Sequence, residues 1–142
     1  MKPTIYVFCI MLLSFVTVRA QQQPQPDPFA GNLFPPEFVM QHQQALGLSD
    51  EQVNFLKADL RKTQTRLTEL QWALEDEVEK MAGVMKPAQV DEAQALTQLD
   101  KVLGLEREIK HMHIGLLIRV KNKLTPEQQA RLREIASTAK GN

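Results

Sequence analysis

Residues 49–84 read SDEQVNFLKADLRKTQTRLTELQWALEDEVEKMAGV, and this stretch decides the fold. Ser49 is followed three residues later by Gln52, the spacing of a capping box. Asp50 and Glu51 place negative charge at the positive end of a helix dipole. Val53, Leu60, Leu67, Leu74 and Met81 then recur every seven residues. Leu56, Thr63 and Leu70 make a companion row three residues on, until Glu77 interrupts it. This a/d pattern of about four heptads predicts a helix of roughly 30 residues and 45 Å. Gly83 and Pro87 end it.

A second run answers the first. From Gln89–Asp91 to about Lys123, the apolar rows Leu96, Leu99, Val102, Leu103, Ile109, Met112, Leu116, Leu117 and Val120 cover a comparable length. Two matched helices joined by a short Gly/Pro turn predict an antiparallel hairpin. Pairing about Met85 places residue 60 near 110 and residue 74 near 96. Thr125, Pro126 and Gln128 repeat the capping signature before a last helix with Leu132, Ile135 and Ala136 on one face. Ahead of the hairpin, Pro35-Pro36 prime a short helix from Glu37 to Leu46, with Phe38, His42 and Leu46 on one stripe. Gly47 suits the left-handed stop. The expected fold class is all-α: a long antiparallel helical hairpin with short flanking N- and C-terminal helices, over residues 37–139.

The N-terminus reads as an address. Lys2 precedes an almost wholly apolar run from Ile5 to Val18, and Val18-Arg19-Ala20 ends in a small residue. Residues 1–20 resemble a secretory signal peptide. The run is shorter than the ~20 residues of a spanning helix, which favours cleavage over retention as an anchor, the alternative. Cys9 leaves with the signal and lacks the small-residue lead-in of a lipoprotein cysteine. Residues 21–36 (QQQPQPDPFAGNLFPP) form a Pro/Gln-rich segment without hydrophobic period, expected to be a flexible leader.

The whole chain has 17 basic and 17 acidic residues, and losing Lys2 and Arg19 leaves a net charge of −2. That balance argues against a nucleic-acid partner. The exported chain has no Cys, hence no disulfide or thiol chemistry, which suits a bacterial periplasm.

Two phrases carry a family likeness: Leu48-Ser49-Asp50-Glu51-Gln52 and Leu124-Thr125-Pro126-Glu127-Gln128. Flanking a hairpin of this length behind an export signal, they resemble the bacterial LTxxQ superfamily of Spy/CpxP-like periplasmic chaperones and heavy-metal-resistance sensor proteins. The likeness spans about residues 37–136. It implies an all-α, often dimeric, cradle-like protein that binds unfolded clients, restrains a stress-sensing membrane kinase, or binds a metal ion.

For metal, the exported chain offers His42, His111 and His113. On a helix His111 and His113 point about 200° apart and cannot grip one ion together. Metal-sensing relatives resemble a pattern of His-x3-His on the first helix and His-x3-Met on the third. Here Leu46 and Leu117 stand at the partner positions. His42 and His113 with Glu106, or with ligands from a second subunit, are the candidates for zinc, nickel or copper; the other reading has no cofactor, with His42 as a packing residue.

Enzymatic function has less support. The exported chain has no Cys nucleophile, Gly-rich phosphate loop, H-E-x-x-H or G-x-S-x-G. The acidic run Glu75, Asp76, Glu77 and Glu79 circles a helix as solvated faces do. Lys57, Arg61, Lys62 and Arg66 share the open half of the hairpin with Arg107, Lys110, Arg119, Lys121 and Lys123, leaving a basic open end and an acidic tip.

Trp72 falls at an f position, opposite the seam. It marks either an interface, for a second copy or a client, or a place that the first or last helix covers. The interface is the reading preferred here, with the four basic residues steering the partner. The leading expectation is therefore a non-enzymatic periplasmic chaperone or envelope-stress adaptor. It would form a homodimer and bind unfolded envelope proteins or a stress-sensing membrane protein. The alternative is a periplasmic metal sensor or metal-binding resistance protein.

Overall fold

The computed structural model describes Phe29 and residues 31–140. The expected signal segment and the leader up to residue 28 lie outside the described residues. The helices are α1 (Pro36–Gln41), α2 (Gln43–Leu46), α3 (Asp50–Val84), α4 (Glu92–Lys123) and α5 (Pro126–Lys140). α3 and α4 form the antiparallel hairpin, and the short helices close its open end.

Ser49 caps α3 as its spacing requires. Its hydroxyl accepts from the Gln52 backbone N–H at 3.2 Å, and the Gln52 side chain accepts from the Ser49 N–H at 3.0 Å. Asp91 caps α4 by accepting from the Gln94 N–H at 3.0 Å. In α3 the companion row forms the seam: Leu56, Thr63 and Leu70 are buried, while Leu60, Leu67, Leu74 and Met81 lie at its edge, half-buried. Glu77 stays in this row because Gln98 meets it, donating to its backbone carbonyl at 2.9 Å and its carboxylate at 2.7 Å. Hydrogen bonds from Lys80 and then Gln98 hold the Glu77 carboxyl below its ordinary range.

The core sits at the open end. Phe34, Val39, Leu46, Leu56, Leu116, Val120, Leu124 and Leu132 form one buried cluster drawn from all five helices and the segment before them. Each fully buried side chain of this size contributes about 1.5–3 kcal/mol of burial. Toward the tip, the hairpin is two helices thick, and its buried residues are Leu70, Ala95, Gln98 and Val102.

Three expectations need correction. First, the helix expected over residues 37–46 is two helices. The His42 Nδ1–H donates to the Phe38 carbonyl at 2.9 Å, taking the acceptor its own backbone N–H would use in a helix. That N–H turns to Val39 instead, at 3.2 Å, and the chain breaks at φ −105°. Second, the leader ends earlier than Pro36, because Phe34 and Pro36 are buried in the domain. Third, the pairing centres near residue 88 and not Met85: Glu77 meets Gln98, Arg66 meets Glu108, and Glu51 meets Lys123. The connection, residues 85–91, is longer than a tight Gly/Pro turn. α5 itself runs from Pro126 to Lys140.

The two capping glutamines do more than cap. Gln52 donates to Gln128 Oε1 at 2.8 Å, and Gln128 donates back to Gln52 Oε1 at 3.2 Å. The second N–H of Gln52 reaches the Lys123 carbonyl at 2.8 Å, and that of Gln128 reaches the Leu46 carbonyl at 3.3 Å. Each amide oxygen also accepts a capping backbone N–H, from Ser49 and from Thr125. Both amides are thus fully satisfied.

Gln52→Ala and Gln128→Ala should each cost about 1–3 kcal/mol, the penalty for orphaning the partner's groups. The double variant should cost less than the sum, since each change already breaks the shared pair. Urea denaturation followed by circular dichroism checks this, and strict additivity would refute the coupling.

Candidate functional site

One face of the hairpin is apolar. Near the open end, Leu60 and Leu67 of α3, Ile114, Leu116 and Leu117 of α4, and Phe29, Leu33, Pro35 and Pro36 enclose a groove of about 540 Å³. Its polar edge is Thr63, Gln64, Glu37 and His113. Toward the tip this side is interrupted by exposed Arg107 and Lys110 of α4 before apolar residues return. Val78 lies about three helical turns beyond Leu67, and Leu103 and Leu96 lie about three and five turns before Ile114, so all three return to the groove's side. Val78, Leu96 and Leu103, with Met85 at the tip, are each about half exposed. The sequence counts Leu96 and Leu103 among the apolar rows of the second long helix. The structure puts them at the surface because the apolar arc of α4 is wider than one partner helix can cover.

The other face is polar and ion-paired. Arg66 bridges Glu108 at 3.1 Å and Glu69 at 2.9 Å, and Arg119 bridges Asp59 at 2.9 Å. At the open end Lys123 pairs with Glu51 at 2.7 Å, which lowers the Glu51 carboxyl below its ordinary value. A depressed carboxylate stabilises the fold above its unfolded pKa and loses that contribution as pH falls through the lowered value. These pairs are solvent-exposed, so each is worth little.

The proposed metal candidates do not come together. His42, half-buried, stacks on Phe38 with ring centroids 4.6 Å apart and has only Nε2 free. Its Nδ1–H to carbonyl bond is the kind that orients a metal ligand. His113 is exposed at the groove rim, and Glu106 lies about two turns away, a rise of roughly 10 Å. Among the described residues no three His, Cys, Asp or Glu converge. The donors among the described residues of one chain therefore do not fit a transition-metal centre, which needs three or four at one point.

Of the basic residues expected to steer a partner, Arg66 is spent on ion pairs. Lys57, Arg61 and Lys62 form none among the described residues. Trp72 is 65% exposed, so no helix among the described residues covers it. It lies about 120° round α3 from Val78, on a polar stripe with Arg61, Thr65, Thr68, Glu75 and Glu79.

The chain is an all-α hairpin whose open end is locked by two capping glutamines and whose exposed apolar residues gather on one side. The heavy-metal resistance family matches residues 5–137, and the chain belongs to it. The family is one of the LTxxQ/Spy-CpxP-like helical periplasmic proteins. No curated protein and no solved structure matches the chain.

Trp72→Ala should change stability by no more than about 0.5 kcal/mol, as for a surface site. Thermal melting checks it. A large drop in Tm would place Trp72 in the protein's own packing.

Proposed function

We propose that this protein is an exported, non-enzymatic binding protein of the chaperone or envelope-stress kind. It works in the periplasm by holding apolar segments of unfolded envelope proteins, or of a stress-sensing membrane protein, on the bare face of α3 and α4. The observation that carries this reading is the half exposure of Val78, Met85, Leu96 and Leu103 in line with the groove. Exposed apolar residues gathered on one side of a helix pair mark interaction sites more than scattered single residues do. Apolar contact along a helical face needs no ATP and discriminates little between sequences, as a holder of unfolded chains requires. The signal-like residues 1–20 and the family support the periplasm. Among the described residues no helix is long and apolar enough to cross a membrane. Trp72, on the flank, extends this surface without forming its centre.

The test is light scattering of a denaturing client with stoichiometric protein and no nucleotide. Wild type should suppress aggregation. Leu96→Asp with Leu103→Asp should weaken suppression about tenfold, roughly 1.4 kcal/mol, while helicity is retained. Suppression untouched by the paired change would overturn the reading.

A second reading, a metal-binding resistance or sensor protein, is favoured by the family's description. It needs donors from outside one subunit. Calorimetric titration with zinc, nickel and copper should give no submicromolar one-to-one isotherm for the monomer. A tight isotherm abolished by His113→Ala would establish the second reading instead.

A further inference from the structure

We infer that the groove near the open end is a site for a single-chain anionic amphiphile, whose acyl tail fills the apolar lining and whose head meets a rim of cations. A free fatty acid and a lysophospholipid share this chemistry. The site uses the groove alone, so it stands whether or not the surface toward the tip holds clients.

Charge around the groove selects the sign of the ligand. On α3, Lys57 lies one turn before Leu60, and Arg61 one turn before Gln64. On α4, Lys110 lies one turn before Ile114, and Lys121 one turn beyond Leu117. Each cation is thus next along its helix to a residue that lines the cavity. None of the four forms an ion pair among the described residues. Arg61 Nε donates only to the Lys57 carbonyl of its own helix, at 3.3 Å. Glu106, one turn from Lys110 toward the tip, does not pair with it. The carboxylate in the lining itself is Glu37. On the opposite face the cations Arg66, Arg119 and Lys123 all have carboxylate partners. Four unneutralised cations against one carboxylate give the mouth of the groove a positive potential, which favours an anionic head.

Size and hydrogen bonding select an acyl chain over a peptide. The groove of about 540 Å³ falls within the range of sites for one small molecule, roughly 300–1,000 Å³. Its polar side chains are Thr63, Gln64, Glu37 and His113, and the Thr63 hydroxyl already accepts from Arg119 at 3.3 Å. A peptide laid against the leucine walls would bury backbone N–H and C=O groups with few partners, at a cost for each. A hydrocarbon tail has no such groups to satisfy.

Calorimetric titration of the exported chain with octanoate, decanoate and dodecanoate, below their micellar concentrations, tests the proposal. Binding should be one to one and tighten about tenfold for each two methylenes added, as a tail entering apolar walls requires. Dodecyltrimethylammonium, with the same tail and the opposite charge, should bind about tenfold more weakly than dodecanoate. Lys57→Glu with Lys110→Glu should reverse that preference while thermal melting stays nearly unchanged, because both residues are exposed. Lysophosphatidylglycerol in a parallel titration separates the two sources: tighter binding than dodecanoate assigns the head to a membrane-derived lipid, and weaker binding assigns it to a free fatty acid. No one-to-one isotherm, an affinity independent of chain length, or equal affinity for the cationic and anionic tails would each overturn the proposal. A neutral trileucine amide that displaces dodecanoate at equal concentration would assign the groove to peptides and overturn it as well.

Discussion

The reciprocal amide pair of Gln52 and Gln128 is the contact on which the rest of the structure depends. It is made of the third residues of two helices, α3 and α5, that start far apart in sequence. Each glutamine closes its own capping box, so its position is fixed by local geometry before the pair forms. The pair then fixes the two helix starts against each other, and its spare N–H groups take the Lys123 carbonyl at the end of α4 and the Leu46 carbonyl at the end of α2. Four helix termini meet at two side chains. Glutamine suits both positions because only an amide offers donors and acceptors together. A carboxylate at either would lose two donors and leave those terminal carbonyls unpaired.

With the junction locked at one end, the other end is free to stay thin. Along its length, the hairpin keeps its register through polar contacts that tolerate water: Gln98 to Glu77, Arg66 to Glu108, Arg119 to Asp59. Gly115 belongs to this scheme. A Cβ there would sit 3.2 Å from Arg119 Nη1, so the glycine gives the guanidinium room to lie across α4 toward Asp59 and Thr63. Gathering the charged partners on one face leaves the other with leucines and valines that nothing among the described residues buries.

The architecture was legible in the sequence because each signal is local. Two capping boxes, a seven-residue row and a stop at Gly47 are each decided within a few residues, and the all-α hairpin follows. The bare face was not legible. Leu96 and Leu103 have the spacing of core residues, and only the number of helices packed around α4 decides whether a position at the edge of the arc is covered. The break at His42 was hidden for a related reason: the sequence shows a compatible stripe, while a side chain competing for a backbone acceptor appears only in three dimensions. Trp72 was legible as an outward residue from its heptad position alone, but the ion pairs that separate Arg66 from Lys57 and Arg61 depend on the register across the hairpin.

The same geometry bears on why membership of a heavy-metal resistance family does not fix a metal centre in this chain. His42 is positioned as an oriented single donor, but the residue one turn on, Leu46, is buried in the core cluster beside the glutamine junction. A donor at that position would be drawn into the packing that closes the open end. At the other candidate, the residue one turn beyond His113 is Leu117, which forms part of the groove's apolar lining. Both sites have therefore committed their second position to burial. The groove that results is lined mainly by apolar side chains, with the His113 imidazole at its edge.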